Sequence, residues 1–247
     1  MELKEKTAVV TGAGRGIGRD IALALAGEGC RVVAVSRTEK EIAGVEKTII
    51  GNGGKALKVA ADISRKADRE RVITAALGKF GSLDILINNA GVTGGELLAL
   101  LPDEDLDRII STNILGLVRM SRAAVRPMLE QHSGCIINLS SVLATKPGRG
   151  NTVYAGTKGF VESFTRALAV ELGKKNIRVN AVAPGIIETE MSGEVRALAG
   201  ATLLERIALK RFGRPEDVAS LVAFLASEDA AYINGAVLPV DGAFGAP

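Results

Sequence analysis

The chain carries one histidine, two cysteines and no Cys-x-x-Cys pair, too few ligating side chains at short spacing for a transition-metal site. Although 47% of its residues are apolar, no uninterrupted apolar run approaches about 18 residues, so no segment reads as a membrane span. The N-terminus, Met1-Glu2-Leu3-Lys4-Glu5-Lys6, lacks the apolar stretch of a signal peptide. The net charge is only +3 and aromatics make up 3%; no basic run is interleaved with aromatics, which speaks against nucleic acid as a partner. Prolines number 7 against 29 glycines. The glycines fall mostly at the ends of predicted strands and helices, so no linker divides the chain. These absences predict a cytoplasmic protein folded as a single domain over 1–247, with Cys30 and Cys135 as reduced core residues.

What the chain does have centres on Tyr154-Ala-Gly-Thr-Lys158. A tyrosine and a lysine four residues apart on a helix share one face. A phenol has a pKa of about 10 when unperturbed, and an ammonium held beside it favours the phenolate. The pair can then serve as proton donor to a carbonyl oxygen, or as base toward an alcohol. Taken alone, the same spacing also describes an ordinary surface helix pair.

The surrounding pattern alternates strands and helices, which predicts a parallel sheet covered on both faces. The apolar run Thr7-Ala8-Val9-Val10 leads into Thr11-Gly12-Ala13-Gly14-Arg15-Gly16-Ile17-Gly18, and a helix follows from Arg19 to Glu28. Strand, glycine turn and helix N-terminus form a phosphate cradle, although the glycines at 12, 16 and 18 are spaced G-x3-G-x-G, not G-x-G-x-x-G. A second strand, Arg31 to Ser36, ends at Arg37. NAD-dependent enzymes place a carboxylate near this point for the ribose hydroxyls. An arginine suits a 2′-phosphate instead, and Arg15 could reach the same group; both are otherwise solvated charges.

A helix from about Glu39 to Ile50 and the strand Ala56–Ala60 come next. Asp62-Ile63 closes that strand, where the carboxylate could accept from an adenine amino group or cap a helix. A helix from about Ser64 to Phe80 precedes the strand Asp84–Ile87, which ends in Asn88-Asn89-Ala90-Gly91. A long helix from Asp103 to about Gln131 holds Asn113, either a satisfied core amide or a functional kink, and Pro127 near its end. The strand Cys135–Leu139 emerges at Ser140-Ser141, and a loop through Pro147 and Gly148 leads to the Tyr154 helix, which runs to about Gly173. The strand Ile177–Val182 ends at Pro184-Gly185. Residues 186–212 read as a lid, irregular or helical and without a sheet partner. A helix opened by Pro215 and a strand from Ala236 to Val240 complete the chain.

Thr11-Gly12-x3-Gly16-x-Gly18, Asn88-Asn89-Ala90-Gly91, Asn113, Ser141, Tyr154-x3-Lys158 and Pro184-Gly185, in this order, resemble the short-chain dehydrogenase/reductase family over the whole chain. The resemblance implies an α/β fold, a doubly wound Rossmann-like sheet of seven parallel strands in the order 3-2-1-4-5-6-7 with helices on both faces, and usually a homotetramer built on the long helices. It implies NADP(H) as cofactor once Arg37 is considered. The catalytic residues would be Asn113, Ser141, Tyr154 and Lys158. Tyr154 would protonate the substrate oxygen, Ser141 would stabilise that oxygen's charge, and Lys158 would lower the phenol's pKa and hold the nicotinamide ribose. Asn113 would bind a water linking Lys158 to solvent. Ser140 is the rival for the serine role, but the family spacing points to Ser141. The cofactor would be held by Gly12, Arg15, Gly16, Ile17, Gly18, Arg37, Asp62, Ile63, Asn89, Ala90, Gly91, Tyr154, Lys158, Pro184, Gly185, Ile187 and Thr189, with Thr189 on the carboxamide.

Within the family, Arg178 to Gly185, Ile187-Glu188-Thr189-x-Met191, Arg211 to Ala219 and Val240-Asp241-Gly242 look most like 3-oxoacyl-[acyl-carrier-protein] reductases. The substrate implied is a ketone, a 3-oxoacyl group on a carrier protein or coenzyme A. Two other readings stay open: a family member acting on a sugar, polyol, steroid or small alcohol, and a non-catalytic nucleotide-binding or scaffolding subunit. Two stretches depart from the reductases. Val92-Thr93-Gly94-Gly95 stands where they commonly have a Thr-Arg-Asp run, and Lys146 to Thr152 is unlike their Gly-Asn-x-Gly-Gln. An acidic carrier would need basic residues at the cleft mouth, for which Lys174, Lys175, His132 and the face Arg119, Arg122, Arg126 are the candidates; subunit contacts or solvation are alternatives for the arginines.

Overall fold

The computed structural model describes residues 3–244; the two positions before and the three after, part of the predicted 1–247 span and of the N-terminal reading, lie outside the described residues. Seven parallel strands form one sheet in the order β3-β2-β1-β4-β5-β6-β7. They are β1 (Thr7–Thr11), β2 (Arg31–Ser36), β3 (Lys55–Ala60), β4 (Ile85–Asn88), β5 (Gly134–Leu139), β6 (Ile177–Pro184) and β7 (Val237–Val240). Between them run α1 (Gly16–Gly27), α2 (Glu39–Gly51), α3 (Lys66–Phe80), α4 (Asp103–Ile110), α5 (Leu117–Gln131), α6 (Thr152–Leu172), α7 (Glu190–Arg206) and α8 (Pro215–Ala226). Among the described residues no helix is long and apolar enough to cross a membrane.

The central strands are apolar at consecutive positions because both faces are covered. On β1, Ala8 and Val10 enter one core with Ile21 and Leu25 of α1, Ile42 and Val45 of α2, and Val218 and Val222 of α8. Val9, between them, points to the opposite core with Val72 of α3, Met120 and Ala124 of α5, and Ala169 of α6. This period-two division makes the run unbroken in sequence yet two-sided in space. Cys30 and Cys135 are free and buried, and burial pushes their thiols up to about 12 and about 11.

Chain order reverses beside β1, whose neighbours are β2 and β4. Loops leaving the two strands diverge there and open a crevice at the carboxyl ends of the sheet. The predicted helix over 103–131 is present with those bounds, and its hydrogen-bond pattern changes partway along. Residues Ser111–Gly116 form a π-helical turn between α4 and α5, so the irregularity sits around Asn113, while Pro127 is accommodated within α5. Residues 186–212 contain α7, none of whose residues is buried. The segment joins no strand of the sheet; an isolated parallel bridge ties Ile187 to Gly213, with Glu188 N–H donating to the Gly213 carbonyl at 2.8 Å.

Where β1 turns into α1 there is no room for a side chain at positions 12 and 18. A Cβ on Gly18 would strike the Gly12 carbonyl oxygen and the Asn89 amide, whereas one on Gly44, inside α2, would meet nothing within 4 Å. Gly18→Ala should therefore lose about 1–3 kcal/mol or more to overpacking, read as a lower denaturant midpoint. Gly44→Ala should gain roughly 0.5–1 kcal/mol from helix propensity. Equal midpoints for the two variants would remove the close-packing explanation.

Candidate active site

Gly12 and Gly16 adopt φ of +65° and +53°, the left-handed values that glycine takes without strain. The turn they make is clamped to the end of β4. Thr11 Oγ1 donates to the Ile87 carbonyl and accepts from Asn89 N–H and Ala90 N–H, each at 3.1 Å. Asn89 Nδ2 donates to the carbonyls of Thr11 at 3.0 Å and Gly12 at 3.1 Å. The Asn89 amide thus acts on the turn itself. At the start of α1 no side chain caps the helix, leaving its first N–H groups facing the crevice.

On the β2 side, Ser36 Oγ accepts from Thr38 N–H at 3.1 Å and Arg37 lines the crevice. Asp62 lines the crevice and does not cap α3, whose N-cap is Arg65; its Oδ1 accepts from Ser64 N–H at 2.9 Å in the preceding turn. Burial raises its pKa, but the Ser64 bonds and the charges of Arg37 and Arg65 outweigh this and hold it below the usual carboxylate value. Arg15 lines the crevice, and its guanidinium pairs with Glu190 at the start of α7, both side chains being exposed.

Three consecutive residues at the end of β5 grip α6. The Leu139 carbonyl accepts from Lys158 Nζ at 2.7 Å. Ser140 Oγ shares its one proton between the Lys158 carbonyl at 3.2 Å and Glu162 Oε1 at 3.1 Å, so although Ser140 lines the crevice its hydroxyl is engaged by α6. Ser141 caps the turn that follows, accepting from Leu143 N–H at 3.2 Å, with its hydroxyl beside Tyr154. The Lys158 ammonium lies over the Tyr154 ring, 5.6 Å from its centroid. Burial raises the Tyr154 phenol above its ordinary value, opposed by the Ser141 hydroxyl. Burial also brings Lys158 down from 10.5 to about 8. The expected depression of the phenol by the ammonium is absent here; loss of water around both groups dominates.

Asn113 is 2% exposed and its amide is spent on structure. Oδ1 accepts from Val92 N–H at 2.9 Å, while Nδ2 donates to the Val92 carbonyl at 2.9 Å and to Thr157 Oγ1 at 3.2 Å. With both amide hydrogens used, only an Oδ1 lone pair remains for a water, so the side chain ties the loop after β4 to α6. It stays close to the lysine: a Cβ on Gly91 would lie 3.4 Å from Asn113 Oδ1 and 3.7 Å from Lys158 Nζ.

Beyond β6, Gly185 N–H donates to the Val240 carbonyl at 2.9 Å, and a Cβ on Gly185 would stand 2.7 Å from Asp241 Cα. Ile187 is buried in the core. Thr189, at the N-cap of α7, leans over Gly16, its Cγ2 3.2 Å from where a Cβ would be. A cavity of about 1020 Å³ follows this edge of the sheet, and every residue assigned above to catalysis or cofactor except Asn113 lines it.

Lys174, Lys175 and His132 do not reach this cavity. Lys174 and Lys175 follow α6 and precede β6, and His132 follows α5 and precedes β5. All three lie at the amino ends of the strands, separated from Tyr154 by the length of α6, whose 21 residues span about 30 Å. Other contributors were missed because their partners are remote in sequence. Asn88 Nδ2 donates to Ser121 Oγ and Asn138 Oδ1, both at 2.9 Å, and Asn138 Nδ2 donates to Thr165 Oγ1 at 2.9 Å. This buried chain joins β4, β5, α5 and α6 beneath the site. Its one sequence signal is asparagine inside otherwise apolar strands.

The lowered Lys158 value carries a stability signature. Below about 8 both folded and unfolded chains hold the proton, and folding buries an ammonium; between about 8 and 10.5 the unfolded chain binds more protons. Stability contributed by this group should therefore rise with pH across that window. Denaturant midpoints of wild type and Lys158→Met, compared at pH 7 and pH 10, should converge or cross in favour of wild type at the higher pH. Parallel curves would contradict a buried, readily deprotonated lysine.

Comparison with known proteins agrees with this arrangement. A family profile described as enoyl-(acyl carrier protein) reductase matches residues 12–244. A 3-oxoacyl-[acyl-carrier-protein] reductase FabG from Thermotoga maritima is 38% identical over 242 residues, 98% of each chain. Among solved structures, a short-chain type dehydrogenase/reductase from Mycobacterium marinum superposes with a TM-score of 0.95 at 34% identity, over 100% of this chain and 98% of that one. A protein assigned as a candidate NAD(P)-dependent gluconate 5-dehydrogenase from Beutenbergia cavernae, with NADP bound at low occupancy, superposes with a TM-score of 0.94 at 35% identity, over 100% and 99%. With the sheet order, the clamped glycine turn and the Ser141, Tyr154 and Lys158 cluster already in place, these matches settle the family: the chain belongs to the short-chain dehydrogenase/reductases, a family of oxidoreductases.

Proposed function

We propose that the protein is an NADP(H)-dependent reductase that converts a ketone to a secondary alcohol, with a 3-oxoacyl thioester on acyl carrier protein or coenzyme A as substrate. The observation that carries this reading is the meeting of Ser141, Tyr154 and Lys158 in a cavity whose other end holds Arg37. The fit to a dinucleotide rests on the positive-φ glycines, the uncapped start of α1 and a cation in place of a carboxylate after β2. NADP in the Beutenbergia cavernae structure and the name of the Thermotoga maritima relative support cofactor and substrate.

Gly12, Gly16, Ile17 and Gly18 would hold the pyrophosphate, Arg37 the 2′-phosphate, and Asp62 and Ile63 the adenine. Asn89, Ala90 and Gly91 would border the ribose, and Pro184, Gly185, Ile187 and Thr189 the nicotinamide. When bound, the cofactor supplies the hydride. Tyr154, kept protonated by its burial, donates its phenolic proton to the carbonyl oxygen. Ser141 donates a hydrogen bond to the same oxygen as negative charge grows there. Lys158, anchored on Leu139, holds a positive charge behind the phenol and offers a proton to replace the one given up. Asn113 fixes the backbone around Gly91 and Val92 against α6 and so positions Lys158. Residues 186–212 form a lid on one domain spanning 1–247, and the Arg15–Glu190 ion pair closes it over the cofactor.

We further read the protein as a homotetramer, supported by the apolar outer side of α6, where Val170 is 84% and Phe160 37% exposed. Two unpaired thiols suit the reducing cytoplasm.

Assays of 3-oxoacyl thioesters, 2-enoyl thioesters, sugars and cyclic ketones with both nicotinamides test this reading, and light scattering on the same preparation should give the mass of four chains. NADPH with a 3-oxoacyl thioester should give the highest kcat/KM. Arg37→Asp should raise the KM for NADPH at least tenfold, the scale of a lost charge-assisted contact, and leave NADH use equal or better. A wild-type preference for NADH would overturn the assignment of Arg37.

A further inference from the structure

We propose that Lys146 and Arg149 form an anion subsite for the substrate, taking a phosphate or carboxylate that the ketone carries away from its reacting carbonyl. The inference rests on the ketone-reductase reading of the same cavity. It starts from the loop between Ser141 and Tyr154, which reads Val142-Leu143-Ala144-Thr145-Lys146-Pro147-Gly148-Arg149-Gly150-Asn151. Lys146 and Arg149 both line the cavity, and Arg149 stands five positions before Tyr154.

The loop is held in place. Lys146 N–H donates to the Val142 carbonyl at 2.9 Å and Asn151 N–H to the Gly148 carbonyl at 3.3 Å. Asn151 Nδ2 donates to the Arg149 carbonyl at 3.5 Å. Gly150, at φ +80°, backs onto the neighbouring loop, with the Gly95 carbonyl 3.6 Å from where a Cβ would be. The two cations are thus presented from a braced turn.

Their lack of any side-chain partner separates them from most other cations of the cavity. Arg15 is paired with Glu190, Lys158 is bound to the Leu139 carbonyl, and Arg206 lies 4.4 Å over the Phe244 ring. Arg37 stands at the dinucleotide end. Among the described residues, Lys146 and Arg149 make no ion pair and no side-chain hydrogen bond. Glu188 and Glu194, which also line the cavity, do not neutralise them. Both residues are exposed at the cavity, and two cations without a counter-ion on one short turn can offer charge-assisted hydrogen bonds to one anion. In a concave site their field also concentrates anionic substrates. A coenzyme A or carrier arm brings phosphate; a sugar acid brings carboxylate.

The test compares substrates that share a carbonyl and differ in charge. 3-Oxobutanoyl-coenzyme A is set against its N-acetylcysteamine thioester, which lacks phosphate, and 5-ketogluconate against its methyl ester. In wild type at least one anionic member should have the higher kcat/KM, through KM, and lose that advantage as salt rises. The pair that responds identifies phosphate or carboxylate as the source. In Lys146→Ala/Arg149→Ala the charged-to-neutral ratio of kcat/KM should fall at least tenfold, and further in Arg149→Glu. A ratio unchanged by these substitutions in both pairs would overturn the subsite while leaving the reductase reading intact. If no ketone is turned over, the reductase reading fails by itself. Calorimetric binding of coenzyme A and gluconate then decides the subsite: affinity for one of them lost in the double variant supports it, and equal affinity or no binding overturns it.

Discussion

The register between the end of β5 and the side of α6 is the constraint on which the site depends. Leu139, Ser140 and Ser141 face three features of one helix: the Lys158 ammonium, the Lys158 carbonyl with the Glu162 carboxylate, and the Tyr154 phenol. Because the strand presents successive side chains to opposite faces, only one of the two serines can serve the crevice while its neighbour anchors the helix. A slip of one residue would exchange their roles. The buried chain Asn88, Asn138 and Thr165 holds the same two elements together one layer deeper. Such a network specifies position as well as adding stability, since unpairing any member leaves a desolvated polar group.

Desolvation gives the site its electrostatic character. Water is excluded from both phenol and ammonium, so the tyrosine is kept protonated and the lysine proton is loosely held. That combination suits a proton donor with a ready source of replacement, and it differs from the simple picture of a charge pulling a neighbouring phenol toward ionisation. The cavity's other cations come from separate segments: Arg37 after β2, Arg15 paired with Glu190 of α7, and Lys146 with Arg149 in the loop between Ser141 and Tyr154.

Much of the fold was legible in the sequence because its signals are local. Apolar runs bounded by glycine, the Tyr154-x3-Lys158 spacing and Thr11-Gly12 each report on a neighbourhood of a few residues, and strand positions agree with the structure to within two residues at nearly every end. What stayed hidden depends on contacts remote in sequence. The Arg15 side chain was read toward a phosphate, and its contact with Glu190, 175 positions away, could not be read from its neighbourhood. Asn113 was read as a water ligand; its bonds to Val92 and Thr157, which leave one Oδ1 lone pair for that role, were not visible in the sequence. Lys174 and Lys175 looked adjacent to the catalytic helix, as they are in sequence. The topology sends them to the opposite end of the sheet, while Lys146 and Arg149, in the loop that departs from the reductase pattern, do line the cavity.

The account's central claim is that Tyr154 gives the proton in the step that reduces the ketone, and a single-turnover measurement of NADPH oxidation reaches that step most directly. With Tyr154→Phe saturated with NADPH, the affinity for cofactor should match wild type, because the ring remains in place. The hydride-transfer rate should fall about 10²-fold or more, the scale of a positioned general acid. A Tyr154→Phe rate within a few-fold of wild type at equal cofactor occupancy would contradict the account.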